Sequence, residues 1–118
     1  SELEENLQHW PVFLLNDLAI RMLPWSLGQA GISAPGRSIR VELEGVGGGS
    51  WHWGLSPQQT PPPDRKPDAF IEGRAPAFAQ VAGRRLVADA ALDLGELVVG
   101  GDEDLALAAL GVLRAYVD

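Results

Sequence analysis

His52 is the first residue of this sequence to weigh for chemistry. It stands between Trp51 and Trp53, with Ser50 two positions before it and Ser56 four positions after. A neutral imidazole serves as a general base or a metal ligand, but a metal site needs further ligands. The only other histidine is His9 and there is no cysteine, so no partner stands at motif spacing and no metal site is expected. A serine nucleophile paired with His52 needs a sharp strand-to-helix turn to present it, and neither Ser50 nor Ser56 sits in one. The run Gly45-Val46-Gly47-Gly48-Gly49 suggests a phosphate cradle, yet such a loop needs a helix amino terminus behind it and a Gly-Lys-Ser/Thr sequence. Here it lies between two strand patterns and reads as a hairpin turn. Asp102-Glu103-Asp104 would attract a cation, and it equally opens a helix, whose amino terminus favours negative charge. Arg84 and Arg85 follow a helix end. They are the candidates for a polar contact to an anionic ligand head, against the alternative of a surface pair with Asp89. No catalytic residue and no cofactor are expected.

Aromatic residues are the other informative group. Trp10, Trp25, Trp51 and Trp53 are many for 118 residues, and each can bury about 150 to 250 Å². Ligand pockets have mostly apolar walls with a few polar groups. If a cavity exists, its expected lining is Phe13, Trp25, Trp53, Phe70 and Phe78.

Composition limits what these residues serve. Sixteen acidic side chains against nine basic ones give a formal net charge of -7. That argues against a nucleic-acid partner, because the phosphate backbone rewards clustered Lys and Arg. Without cysteine there are no disulfides or thiolate sites, and a cytoplasmic location is expected. No apolar stretch approaches the ~20 residues that span a bilayer. The length suits a single domain, residues 1–118, with a helical segment at 1–36 and an αβ core at 37–118. Starting at Ser1 without an initiator methionine, the chain reads as an excised domain or one carrying an expression remnant.

Glu2, Glu4 and Glu5 suit a helix start, and Trp10-Pro11 interrupts it. A second helix is expected over residues 11–23, stopped by Pro24. On it Asn16, Asp17 and Arg21 form a narrow polar stripe, with Asp17 and Arg21 spaced for an i,i+4 pair. Its wide apolar surface suggests a core helix, a homodimer contact or a contact with a missing helical domain. Residues 28–36 read as loop. Ile39, Val41 and Leu43 alternate with Arg40, Glu42 and Glu44, a strand with one wet face. Trp51, Trp53 and Leu55 share one face of the returning strand, with His52 on the other. Prolines 57, 61, 62, 63 and 67 mark a connection. A strand at 68–73 follows, then a helix opened by Pro76 and closed by Gly83. A short helical stretch at 86–94, a strand at 96–99 and a final helix capped by Asp102 complete the chain. Strands and helices are partly segregated, hence α+β.

The hairpin with Gly47-Gly48-Gly49-Ser50-Trp51, the strand Asp68-Ala69-Phe70-Ile71-Glu72-Gly73, the helix ending Gly83-Arg84 and the run Gly95-Glu96-Leu97-Val98-Val99-Gly100-Gly101-Asp102 together resemble the sterol carrier protein type 2 fold. Within it, the pattern over residues 38–117 is most similar to the carboxy-terminal domain of the mycothiol-dependent maleylpyruvate isomerase family of actinobacteria. An Arg-rich composition with Lys66 as its single lysine likewise resembles GC-rich bacterial proteins. The resemblance implies a four- to five-stranded, mostly antiparallel sheet covered on one side by helices, with an apolar groove between them that takes a lipid-like small molecule. Full members of the isomerase family carry a helical domain in front, with histidines and a glutamate as metal ligands, and this chain has only His9 and His52. It also has Val81-Ala82 where that family often places an aromatic residue before Gly-Arg. Two readings stay open: a noncatalytic binding domain, or the accessory domain of a metalloenzyme whose catalytic bundle is elsewhere. A small enzyme in its own right lacks acid and base residues.

Overall fold

Alternation in the sequence becomes alternation in burial. In the computed structural model, which describes residues 11–55 and 65–114, β1 (Ser38–Glu44) buries Ile39, Val41 and Leu43 and leaves Arg40 and Glu42 half-buried. The glycine turn returns the chain as β2 (Gly49–Gly54), antiparallel to β1, with Val41 opposite Trp51 and Ile39 opposite Trp53. On the other side of β1, β3 (Ala69–Arg74) runs parallel, and β4 (Leu97–Gly101) runs antiparallel to β3, giving the order β2-β1-β3-β4. The fold is therefore α+β with a four-stranded mixed sheet whose central pair is parallel.

Among the described residues five helices accompany the sheet: α1 (Val12–Arg21), α2 (Leu23–Gln29), α3 (Ala75–Ala82), α4 (Ala88–Asp93) and α5 (Glu103–Val112). α1 packs on α3 and β2, α2 on α5, α3 on β1 and β3, and α5 on β3 and β4. Ile20, Leu23, Leu27, Phe78 and Leu110 from the helices meet Ile39, Val41, Ile71 and Leu97 of the sheet in one core, none more than 2% exposed. The register puts Arg40, His52, Phe70, Glu72 and Val98 on the opposite face.

Several expectations need correction. Pro24 does not stop the first described helix; the helix breaks earlier, at Met22, and Pro24 sits in the first turn of α2. A proline fits there because first-turn N–H groups have no intrahelical acceptor. Asn16 leaves the polar stripe altogether. It is fully buried and its amide donates to the carbonyls of Gly47 and Ala75, both at 3.3 Å, pinning α1 to the hairpin turn and to the β3–α3 junction. Gly47 has φ +85°, and a Cβ there would strike Val12, so close approach of α1 to the turn fixes glycine at that position. Asp17 and Arg21 do pair, at 2.9 Å. The residues before Pro11, the prolines at 57 and 61–63, Ser56 and the end of the chain after Arg114 lie outside the described residues.

At the far end of the sheet Arg37 clasps three segments. Its guanidinium bonds Asp102 and pairs with Asp68 at 3.4 Å. Asp68 accepts from the Ser38 N–H at 2.8 Å, and Asp102 caps α5 by accepting from the Leu105 N–H at 3.1 Å. The Leu105 N–H and Arg37 hold the Asp102 carboxyl below its usual range, the cap bond contributing most.

Candidate functional site

The recess in which Arg84 takes part lies where two helices end side by side. α3 finishes at Ala82, and Gly83 donates back to Ala79 at 2.8 Å. Gly83 closes α3 as expected, at φ -82°, and the left-handed residue of the turn is Arg84 at φ 62°, the one described non-glycine residue with positive φ. The next N–H groups, of Arg85 and Leu86, donate to the Gln80 carbonyl at 2.8 and 3.3 Å. That swings the chain away until Val87, extended, leads into α4. α5 ends beside this turn at Val112, with Leu113 extended. Between them lies a recess of about 310 Å³. Its walls include Val81, Leu86, Leu110 and Leu113, and Arg84 and Asp89 contribute the charged groups. Gly111 also lines it, and a Cβ built there meets nothing within 4 Å. The absent side chain is part of the space. At ~30 Å³ per water-sized group, the recess has room for about ten, at the lower end for ligand pockets.

The five aromatic candidates do not line this recess. Phe78 is fully buried in the core, whereas Phe13 and Trp25 are 45% and 41% exposed. Phe13 stacks on Trp51 with ring centroids 5.7 Å apart. Trp53 lies under the Arg21 guanidinium, 5.0 Å from its ring centroid, and the Trp51 indole N–H donates to Asp17 at 3.0 Å. The Asp17–Arg21 pair thus serves both tryptophans of β2. Phe70 is on the opposite sheet face, its ring occupying the space a Gly100 side chain would take. Arg85 is exposed, and neither it nor Arg84 pairs with Asp89 among the described residues.

His52 bonds neither Ser50 nor a metal-ligand set. Its Nε2 lies 3.2 Å from Ser38 Oγ, and Ser38 is fully buried, so this hydroxyl is closed to a substrate. Burial pushes the imidazole below its ordinary value, with Arg40 and Arg65 adding to the effect. Ser50 instead donates to Glu42 at 2.7 Å, which with Arg40 lowers that carboxyl. Glu42, Glu44 and Glu72 line a shallow groove of about 250 Å³, but among the described residues no group of three His, Cys, Asp or Glu is placed to hold a metal ion. A further recess of about 310 Å³, between α2, the loop through Ser33 and Leu55, has no charged lining residue.

Of the recess residues, Arg84 and Asp89 stand out in the sequence and the rest do not, because Val81, Leu86, Leu110 and Leu113 read as ordinary apolar faces of helices. A glycine within the apolar pattern of the last helix was the available signal.

No family model matches the sequence, and no curated protein matches it either. Among solved structures the fold is similar to sterol carrier protein 2 from Yarrowia lipolytica in its apo form, with a TM-score of 0.51 and 16% sequence identity over 86% of this chain and 84% of that one. The chain thus has a sterol carrier protein 2-like fold. Among the described residues no helix is long and apolar enough to cross a membrane.

Proposed function

We propose that this chain is a noncatalytic cytoplasmic binding domain for an apolar or amphipathic, lipid-like small molecule, held in the recess between α3 and α5 with Arg84 at its polar end. What supports the reading most is that recess: aliphatic walls, a gap left by Gly111 and Arg84 in its lining, on a fold similar to a sterol carrier protein. Arg85, next in the chain and exposed, is the second cation available to an anionic head.

Native mass spectrometry of the purified chain, joined to titration with the anionic apolar dye anilinonaphthalene sulfonate, tests it. A lipid-sized adduct or saturable dye binding is expected. Gly111→Phe fills the recess and removes binding while keeping the circular dichroism of the wild type. Arg84→Ala weakens the dye by about tenfold, the loss of one charge-assisted contact. Absence of both adduct and dye binding, or binding unchanged in Gly111→Phe, overturns the proposal.

The alternative, an accessory domain of a mycothiol-dependent metalloenzyme of the maleylpyruvate isomerase family, is supported by the glycine hairpin and the Gly-Arg and Gly-Asp element ends. The exposed Phe13, Leu14 and Trp25 on α1 and α2 would face the helical domain. An upstream bundle rich in histidine in the same reading frame favours this reading.

A further inference from the structure

Among the described residues β4 forms an open edge of the sheet. Arg74 donates its N–H to the Glu96 carbonyl and Asp102 donates to the Asp68 carbonyl. With the register Ala69↔Gly101 to Gly73↔Leu97, residues 96, 98, 100 and 102 therefore turn their backbone groups toward β3. Leu97, Val99 and Gly101 turn theirs outward, and among the described residues no strand pairs with that side. Sheet edges are usually blunted by charge, proline or a bulge. β4 reads Leu97-Val98-Val99-Gly100-Gly101, with none of these, and Val98 is 53% exposed.

We infer that β4 pairs antiparallel with β4 of a second copy about a two-fold axis at Val99, extending the sheet across two chains. The outward positions 97, 99 and 101 are symmetric about Val99, so the strand is its own complement. Val99 bonds reciprocally across the axis, and each Gly101 N–H donates to Leu97 of the other copy, beyond which Gly101 turns left-handed (φ 67°) and the strand ends. In this register Val98 faces Gly100 of the second copy at a non-hydrogen-bonded pair, where side chains come closest. Gly100 has no side chain, and the Phe70 ring covers it. Val98 of each copy thus closes on the aromatic patch of the other. At the ends Glu96 meets Asp102 of the second copy, each already holding an arginine of its own chain, Arg74 and Arg37, so neither acid faces the other bare. A five-residue strand makes a small interface, so the dimer is concentration-dependent.

Sedimentation velocity of the full chain from about 10 μM to about 1 mM, the range in which small interfaces assemble, is expected to move from chain mass toward twice that mass. Val98→Lys puts a charge in the joint and Val99→Pro removes an outward donor, which an edge strand tolerates. Both stay monomeric across the range with unchanged circular dichroism. Because the chain has no cysteine, E72C, exposed on the same face one strand in from the joint, takes a single nitroxide label without altering β4, and two labels across the joint broaden the spectrum as concentration rises. A wild-type chain that stays monomeric to 1 mM overturns the inference. A dimer that survives Val98→Lys does so too, because it then uses another surface such as the exposed face of α1. If Val99→Pro alone misfolds, Val98→Lys and the label still decide. Ligand binding in the recess is not needed for any of these outcomes.

Discussion

At the residue scale Asn16 shows how one side chain can tie three segments together. Its amide donates to the buried carbonyl of Ala75 and the half-buried one of Gly47, so removing it strands the Ala75 carbonyl. Asn16→Ala is expected to lower the unfolding free energy by about 1 to 3 kcal/mol, and Asn16→Asp by more, because a buried carboxylate would face two carbonyl oxygens. Urea denaturation reads both. His52 gives a pH dependence with a definite sign. Its folded value lies below the ordinary one near 6.5, so between the two values the unfolded chain binds more protons and stability falls as pH drops below about 6.5. Asp102 and Glu42 are also lowered. Their contribution is complete above the ordinary carboxylate value and is lost as pH falls below about 4. A urea midpoint followed from pH 8 to pH 3 should show two declines, and His52→Gln should remove only the first.

At the element scale the contact between Phe70 and Gly100 joins β3 to β4 on the face away from the helices. A methyl group at residue 100 would lie inside the Phe70 ring, so Gly100→Ala should destabilise the chain by about 1 to 3 kcal/mol through overpacking. Adding Phe70→Ala should recover part of that loss in a double-mutant cycle. The cycle is additive if the two residues do not touch. Such contacts were not legible in the sequence, whereas the elements themselves were. Alternation located β1 and β2, and Asp102 followed by two acids located the start of α5 within a residue. What one-dimensional pattern cannot carry is depth. Asn16 beside Asp17 and Arg21 reads as part of a wet stripe, and only the approach of the hairpin turn buries it. The aromatic candidates failed to gather for a related reason: large rings are recognisable by type, but Phe13, Phe70 and Phe78 fall on three different surfaces once strand order is fixed.

At the scale of the whole molecule one sheet face supplies the core and the other stays partly open, with the recess at the margin where α3 and α5 end. Gly111 is a second test of that layout. A small side chain there should be accommodated without clash, and Gly111→Ala should stabilise α5 by up to about 1 kcal/mol, since helix interiors disfavour glycine by that amount. Thermal unfolding measures it. If Gly111→Ala destabilises instead, the space beside α5 is not open.

Arg84 carries a consequence of a different kind. Its left-handed backbone costs an arginine about 1 to 2 kcal/mol that a glycine would not incur, at a turn where the preceding Gly83 stays right-handed. Selection for a robust fold alone would place the glycine one position later. Arg84→Gly should therefore make the chain harder to unfold and at the same time as poor a binder of anionic dye as Arg84→Ala. A chain that became both tougher and emptier on the same substitution would mark position 84 as a place where durability has been traded for a charge at the recess.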